Sequence, residues 1–322
     1  MLGRLRSQGS KESPLGRGTF RRVRGVDLHW VALGEGPPVV LLHGLGDSHR
    51  TWSDVAPSLA RWCRVFALDL PGHGLSGRPD ASYSLAWHAE VIGTWLEEMG
   101  LDNVDVVGHS YGGGIAQWML LDHVQRVRKL ALVAAGGLGR EVTLALRLAA
   151  LPFVVERMGQ PFMTPGTFLA LNAIRGVYPP VEVARLSWMN GRRGSARAFA
   201  RSVRDVIDLN GQRRGFFQHA HEIPRLPPIG LFWGEKDRVI PIAHALEAAP
   251  KIEGASVVRF PKCGHYPHRE QPHRFSMELE AFLGHEAPRS VVRPTRSRDD
   301  ATGEAPTGEA SNVDLEPRRD IG

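Results

Sequence analysis

The chain has 322 residues, 42% of them apolar, which is enough for one large domain with an insertion or for two domains. It contains no uninterrupted apolar stretch of about 18 residues, so we expect no membrane-spanning helix, and its first residues lack the apolar segment of a secretory signal. The chain has a net charge of +6, and residues 1–24 alone carry the same net charge. The excess positive charge therefore lies mainly on a basic leader, residues 1–20, which we expect to be flexible. Because this charge is not spread over a folded face, it argues against a specific nucleic-acid partner.

Short apolar runs alternate with stretches of helical periodicity between residues 21 and 138. Residues 21–33 predict two paired strands, and the glycines and prolines of 34–38 predict a turn. The elements predicted next are strand 39–43, helix 52–62, strand 64–70, helix 83–99, strand 104–109, helix 112–122 and strand 128–135. This alternation predicts an α/β fold with a mostly parallel sheet and helices on both faces.

The alternation is interrupted at residues 139–222, which are largely helical in pattern. We expect this insertion to form a helical cap over the carboxyl edge of the sheet. Its apolar residues either contact a partly apolar substrate or pack on the core; they include Leu144, Leu148, Leu151, Phe153 and Phe168. Core elements resume in residues 223–286 with strand 229–234, helix 242–249, strand 256–261 and helix 271–284.

Composition changes again after the last predicted helix. Residues 287–322 are rich in proline, glycine and mixed charge, so they cannot bury enough surface to offset the entropy of ordering, and we expect disorder. The only cysteines, Cys63 and Cys263, form no C-x-x-C pair. Reduced, buried thiols in a cytoplasmic protein are the expected state.

One serine is enclosed by glycines where a predicted strand meets a predicted helix. Gly108, His109, Ser110, Tyr111 and Gly112 match the pattern G-x-S-x-G, in which the serine occupies a strained strand-to-helix turn. The glycines remove side chains that would collide there, and the helix N-terminus favours developing negative charge. The pattern indicates a nucleophile elbow, and His109 is expected to shape it.

A serine hydroxyl needs a base and an orienting acid, which should follow later strands of the same sheet. In such folds the chain order is serine, acid, histidine. Asp237 follows strand 229–234 and His265 follows strand 256–261, so their loops should be neighbours. Glu235 and His268 compete for the same two roles, since each lies in the same loop as the preferred residue.

Two backbone N–H groups are predicted to hold the negative charge of an attacked carbonyl. Tyr111 follows the serine and supplies one of them. The loop after strand 39–43, with the sequence HGLGD, is the natural source of the other, and Leu45 is the residue we select.

Neither a cofactor nor a metal is predicted. Residues 72–77 match the dinucleotide pattern G-x-G-x-x-G, but the acids about 20 residues later, Glu97 and Glu98, fall inside a predicted helix. The histidine pair within residues 263–272 has helical spacing, but neighbouring glycine and proline oppose a helix there.

Taken together, these residues resemble the α/β-hydrolase superfamily over residues 20–285. The matching motifs are HGLGDS at 43–48, LDLPGHGLSG at 68–77, GHSYGG at 108–113, WGEKDRVIP at 233–241 and CGHYPHREQP at 263–272. The resemblance implies an eight-stranded sheet with a cap after strand six. It also implies Ser110 as nucleophile, His265 as base and Asp237 as the residue that orients it. Serine at position 110 argues against the epoxide-hydrolase and haloalkane-dehalogenase branches, which carry aspartate there.

The function expected from these features is hydrolysis of a carboxylic ester of a small or medium, partly apolar substrate through an acyl-enzyme. Carbon–carbon bond hydrolysis of a ring-fission product is the alternative, since AAGGLG at 134–139 and Tyr266 after CGH are similar to that branch. That branch usually has a more glycine-rich oxyanion loop and a tryptophan after the histidine. A low-turnover ligand receptor is a third hypothesis, and a homodimer is left open.

Overall fold

A computed structural model describes residues 13–284 of the chain, except 151–153, 175, 214, 216, 217 and 224. The first part of the predicted leader, the whole predicted tail at 287–322, and the cap residues Leu151 and Phe153 therefore lie outside the described residues.

Ten strands occur in the described part of the chain. They are β1 Gly18–Val23, β2 Val26–Leu33, β3 Pro38–Leu42, β4 Arg64–Asp69, β5 Val104–His109, β6 Val127–Val133, β7 Ile207–Asp208, β8 Gly211–Gln212, β9 Ile229–Gly234 and β10 Ser256–Phe260. Eight of them form one sheet in the order β1-β2-β4-β3-β5-β6-β9-β10, while β7 and β8 form a separate hairpin. Strand β2 pairs antiparallel with β1 and β4, and the remaining pairs are parallel. The predicted α/β fold with an eight-stranded, mostly parallel sheet is confirmed.

Helices cover the sheet and form the inserted region between β6 and β9. They are α1 Ala56–Leu59, α2 Leu85–Glu98, α3 Tyr111–Asp122, α4 Leu144–Ala149, α5 Val154–Met158, α6 Met163–Ala173, α7 Pro180–Asn190, α8 Ser195–Val206, α9 Ala243–Ala248, α10 Pro267–Glu270 and α11 Pro272–Leu283. The helix predicted at 52–62 is only the single turn α1 after a 3₁₀ turn. The hairpin of β7 and β8 was not predicted, because two-residue strands are too short to show a periodicity.

The sheet is buried on both faces, as its apolar strands require. In β3, Val40 and Leu42 belong to the cluster that includes α2 and α3, whereas Val39 and Leu41 belong to the cluster that includes α11. Successive side chains of a strand point to opposite faces, so an unbroken apolar run such as β3 fits only a sheet that is covered twice. This packing holds the carboxyl ends of the parallel strands in a fixed arrangement.

The folded region begins earlier than the predicted boundary at residue 21. Strand β1 starts at Gly18, and Leu15 is buried. Ser13 Oγ lies 2.9 Å from Nε2 of the buried His49. The last residues of the predicted leader therefore pack on the sheet, because the six-residue pairing of β1 with β2 needs them.

A buried carboxylate at the end of β4 joins three segments of the core. The Asp69 oxygens accept hydrogen bonds from Nδ1 of His29 and Nδ1 of His49, each at 2.9 Å. They also accept the backbone N–H groups of His49 and Leu75. Burial alone would raise the pKa of Asp69, but His49 and His29 hold it well below its ordinary value. The carboxylate therefore stays ionised, and both of its oxygens stay hydrogen-bonded.

We expect Asp69→Asn to lower the free energy of unfolding by about 3 kcal/mol, since an amide cannot accept from both imidazoles and leaves a buried donor unpaired. Because the pKa is depressed from 3.8 in the folded state, this stabilisation is present above about pH 4 and is lost as the pH falls further. Urea unfolding of the parent and the variant at pH 7 and below pH 4 measures both effects.

Asp27→Asn is the matched control. Its carboxylate is about half exposed and contacts the exposed Arg22, so the expected change is below about 1 kcal/mol. Equal losses of stability in the two variants at pH 7 would contradict the structural role of Asp69.

Candidate active site

Ser110 occupies the sharp turn between β5 and α3. Its backbone has φ 52° and ψ −113°, a left-handed conformation that an L-residue adopts only under strain. A Cβ added to Gly108 would lie 2.5 Å from the carbonyl oxygen of Gly112, and one added to Gly112 would lie 2.5 Å from that of His43. Only glycine fits at either position, so the two elbow glycines have the steric role that their spacing predicted.

The structure brings Ser110, His265 and Asp237 into one hydrogen-bonded chain. The Asp237 carboxylate can only accept, so Nδ1 of His265 carries a proton and donates it to Oδ2 over 2.7 Å. Nε2 of His265 is then free to accept from the Ser110 hydroxyl at 3.0 Å. The second Asp237 oxygen accepts the backbone N–H groups of Val239 and Ile240, which fix the carboxylate in its loop. A hydroxyl, an imidazole and a carboxylate are thus aligned, an arrangement in which the imidazole can accept the hydroxyl proton.

The two competing residues point elsewhere. Glu235 lies two residues before Asp237, and its carboxylate contacts Arg259 at 2.9 Å. His268 is fully buried, and its Nε2 lies 2.9 Å from Thr51 Oγ1. Neither side chain is bonded to the serine or to His265 in the structure, so the geometry favours Asp237 and His265 over both.

His109 contacts the backbone of His265 instead of the serine. Its Nε2 donates to the backbone carbonyl of His265 at 2.9 Å, and its ring lies between those of His265 and His268. Burial, together with repulsion from His265, holds the pKa of His109 well below its ordinary value. A neutral imidazole is therefore in contact with the loop that carries His265.

The loop after β3 lies directly against the elbow. A Cβ added to Gly44 would lie 3.4 Å from Ser110 Cβ, and Leu45 and Tyr111 line the same cavity as Ser110. His43 accepts the N–H of Leu70 through Nε2, so its Nδ1 donates to the carbonyl of Gly44 at 2.7 Å. His43 therefore holds this loop, while the role of Leu45 and Tyr111 as oxyanion donors stays a prediction.

Two residues from the inserted region form hydrogen bonds to the backbone around this site, and the sequence analysis predicted neither of them. Nδ2 of Asn190 donates to the carbonyl of Gly46 at 2.7 Å, and Oε1 of Gln212 accepts the N–H of Gly137 at 2.8 Å. Both residues line the cavity beside Ser110. No motif surrounds them in the sequence, because their partners are 144 and 75 positions away.

A cavity of about 600 Å³ separates the inserted helices from Ser110. Its wall is mostly apolar and includes Leu146, Met163, Leu171, Ile174, Phe199 and Val206. The hydroxyl of Ser110 and the imidazole of His265 lie at its base with the loop at Leu45. The volume and lining suit a small or medium molecule with an apolar portion.

The glycine-rich stretch 72–77 is a turn around Asp69. The N–H of Gly72 donates to Gly77 at 2.9 Å, and a Cβ added to Gly74 would lie 2.1 Å from Asp69 Cγ. Among the described residues, one cluster of metal-ligating types occurs, formed by His29, His49 and Asp69. Because imidazole and amide protons occupy the Asp69 oxygens, this cluster functions as a hydrogen-bond network.

Comparison with known proteins agrees with the fold. The family model for the alpha/beta hydrolase fold matches residues 37–272. The chain therefore belongs to the α/β-hydrolase family and is a hydrolase of the α/β fold.

Individual relatives differ in the reaction that their names state. The chain is 32% identical to an uncharacterized protein of Mycobacterium tuberculosis over 89% of each chain. It is also 32% identical to a 2-hydroxymuconate semialdehyde hydrolase of Pseudomonas putida, over 78% of this chain and 88% of that one. A solved membrane phospholipase A, described as a bacterial virulence factor, matches with a TM-score of 0.68 and 27% identity over 83% and 86% of the chains. Every helix within the part of the chain that the structure covers is too short or too polar to cross a lipid bilayer.

We expect Gly112→Ala to lower the free energy of unfolding by about 2 kcal/mol or more, because the new Cβ would meet rigid backbone of the loop after β3. Gly114→Ala, two residues later in α3, is the control. Its Cβ would meet only the end of the Leu85 side chain at 3.3 Å, so the change should stay within about 1 kcal/mol. Urea unfolding of both variants tests the close approach, and comparable stabilities would contradict it.

Proposed function

We propose that the protein is a serine hydrolase that cleaves an uncharged carboxylic ester through an acyl-enzyme. The observation that carries the proposal is the chain of hydrogen bonds from Ser110 to His265 and from His265 to Asp237, at 3.0 and 2.7 Å, at the base of an apolar cavity. We further propose that the inserted residues 139–222 act as the cap that encloses the substrate.

The reaction follows from the roles of these groups. His265 takes the Ser110 proton as the hydroxyl oxygen attacks the acyl carbon, and Asp237 stabilises the resulting imidazolium. The amides of Leu45 and Tyr111 are the proposed donors to the oxyanion. His265 then protonates the departing alcohol, and the same imidazole activates the water that releases the acid from Ser110.

The lining of the cavity favours an uncharged substrate. Among the described residues that form its wall, none is a lysine or an arginine, and the one carboxylate, Asp47, accepts a hydrogen bond from the Tyr178 hydroxyl at 2.6 Å. A carboxylate substrate would lose its hydration there without gaining a cationic partner. This argues for an ester over an anionic ring-fission product.

Carbon–carbon bond hydrolysis is the second candidate, because relatives named as 2-hydroxymuconate semialdehyde hydrolases are 30% and 32% identical to this chain. A further relative of Cupriavidus necator is named as the acetyltransferase component of an acetoin cleaving system and is 32% identical over 82% of this chain. Acyl transfer from Ser110 to an acceptor other than water would use the same first step.

Both cysteines are buried and unpaired, which supports a reducing, cytoplasmic location as part of this proposal.

The nucleophile is tested by covalent labelling. A fluorophosphonate probe should modify Ser110 and no other serine in the parent, as identified by peptide mapping, and Ser110→Ala should abolish both labelling and hydrolysis of p-nitrophenyl esters.

Rates on esters of increasing chain length are compared with the rate on a ring-fission dienoate. Turnover of the dienoate without turnover of any ester would replace the ester proposal by carbon–carbon hydrolysis. Ligand binding that survives in Ser110→Ala, with no labelling of the parent, would favour a receptor.

The orienting acid is tested against its neighbour in the same loop. Asp237→Asn should lower kcat for ester hydrolysis by about 10⁴-fold, because the amide no longer holds His265 in the required tautomer or stabilises its positive charge. Glu235→Gln should leave kcat within about twofold, since its carboxylate contacts Arg259 and not the imidazole. The assignment would be overturned if the two variants exchanged these effects.

A further inference from the structure

Helix α6 has no buried residue, although its sequence, MTPGTFLALNA, contains no charge. One face of the helix lines the catalytic cavity at helical spacing, through Met163, Gly166, Thr167, Ala170 and Leu171. The helix therefore forms a wall one layer thick between the cavity and the outside. A helix that is apolar on both faces normally has a partner on each of them.

The outer side of this wall is apolar, and the exposed side of α4, a helix that lines the same cavity, is apolar as well. Phe168 is 49% exposed, Leu169 69% and Phe162 67%. On α4, Leu144 and Leu148 are exposed one helical turn apart, and Ala145 between them lines the mouth of the same cavity. Of the twelve large apolar side chains that are exposed in the described part of the chain, eight lie between Leu144 and Trp188. We name the five residues on α4 and at α6 the mouth surface: Leu144, Leu148, Phe162, Phe168 and Leu169.

The charges next to the mouth surface are positive. Arg193 is exposed and lines a depression beside Gln160, two residues before Phe162. The lining of this depression includes four further arginines and two carboxylates, Asp80 and Glu156, so its charge is positive in sum. Residues 142–173 contain a single acid, Glu156, and its carboxylate is bonded to Arg201 and Arg204. No negative charge in these residues is left to oppose an anionic partner.

We propose that the mouth surface docks on an anionic lipid bilayer, with Phe162, Phe168 and Leu169 in the acyl boundary and Arg193 at the headgroups. An apolar face beside basic side chains is the pattern of a segment that lies in a membrane interface. Docking in this orientation turns the mouth of the Ser110 cavity towards the lipid, so an apolar substrate enters without crossing water. The binding itself does not depend on the proposed ester chemistry.

The experiment measures co-sedimentation of the full chain with sucrose-loaded vesicles of phosphatidylglycerol and phosphatidylcholine, 1:1, and of phosphatidylcholine alone. Every variant carries Ser110→Ala, so that turnover cannot alter the vesicles and the result is independent of the catalytic proposal. We expect stronger binding to the anionic vesicles and a loss of affinity as salt is raised.

Adding Phe168→Ser and Leu169→Ser should weaken binding at least about tenfold, because two exposed apolar anchors are lost. Adding Arg193→Glu should weaken binding to anionic vesicles roughly tenfold and leave binding to phosphatidylcholine unchanged. The matched control is Leu246→Ser with Met277→Ser, two exposed apolar residues on the core helices α9 and α11, which should not change binding.

Circular dichroism and urea unfolding verify that the variants are folded. The proposal would be overturned if the Phe168/Leu169 variant and its control bound the vesicles equally well. It would also be overturned if the Ser110→Ala chain without further changes bound neither kind of vesicle. Light scattering measures the oligomeric state and so tests whether a second copy of the chain occupies this surface. If the parent is a dimer and the Phe168/Leu169 variant is a monomer, a second copy covers this surface instead of a bilayer.

Discussion

The arrangement of the site depends on one strained backbone turn. Ser110 keeps a positive φ because Gly108 and Gly112 let β5, α3 and the loop after β3 approach more closely than any side chain would allow. This turn directs the hydroxyl to the carboxyl edge of the sheet, where the loops after β9 and β10 carry Asp237 and His265. The parallel pairing of β5, β6, β9 and β10 is what makes these distant loops neighbours.

Neutral histidines surround the proposed base. Burial lowers the pKa values of His43, His109 and His268, so these rings act as uncharged donors and acceptors. His43 holds the loop at Gly44 and His109 holds the carbonyl of His265, each through one defined ring nitrogen. A charged ring at either place would oppose the positive charge that His265 gains when it takes a proton. Their neutrality therefore suits the proposed mechanism.

The core and the inserted helices supply different residues of the site. The core supplies Ser110, Asp237 and His265, whereas the insertion supplies most of the apolar wall and the polar contacts of Asn190 and Gln212. Relatives whose names state different reactions are each 32% identical to this chain, as expected if the proposed chemistry resides in the core and the proposed selection of the substrate in the insertion. In this chain the wall contains apolar residues on both sides of α6, which links the cavity to the surface outside it.

The amino-acid sequence by itself determined the alternation of strands and helices and the serine at the elbow, because periodicity and a glycine-flanked turn are local properties. It favoured Asp237 over Glu235 and His265 over His268 but left both competitors open, since each pair shares one loop and orientation in a loop is set by distant partners. Only the tertiary structure turned Asp237 towards His265 and joined Glu235 to Arg259 and His268 to Thr51. It also decided which residues of the insertion contact the site, because contacts across more than 70 positions leave no pattern in the sequence.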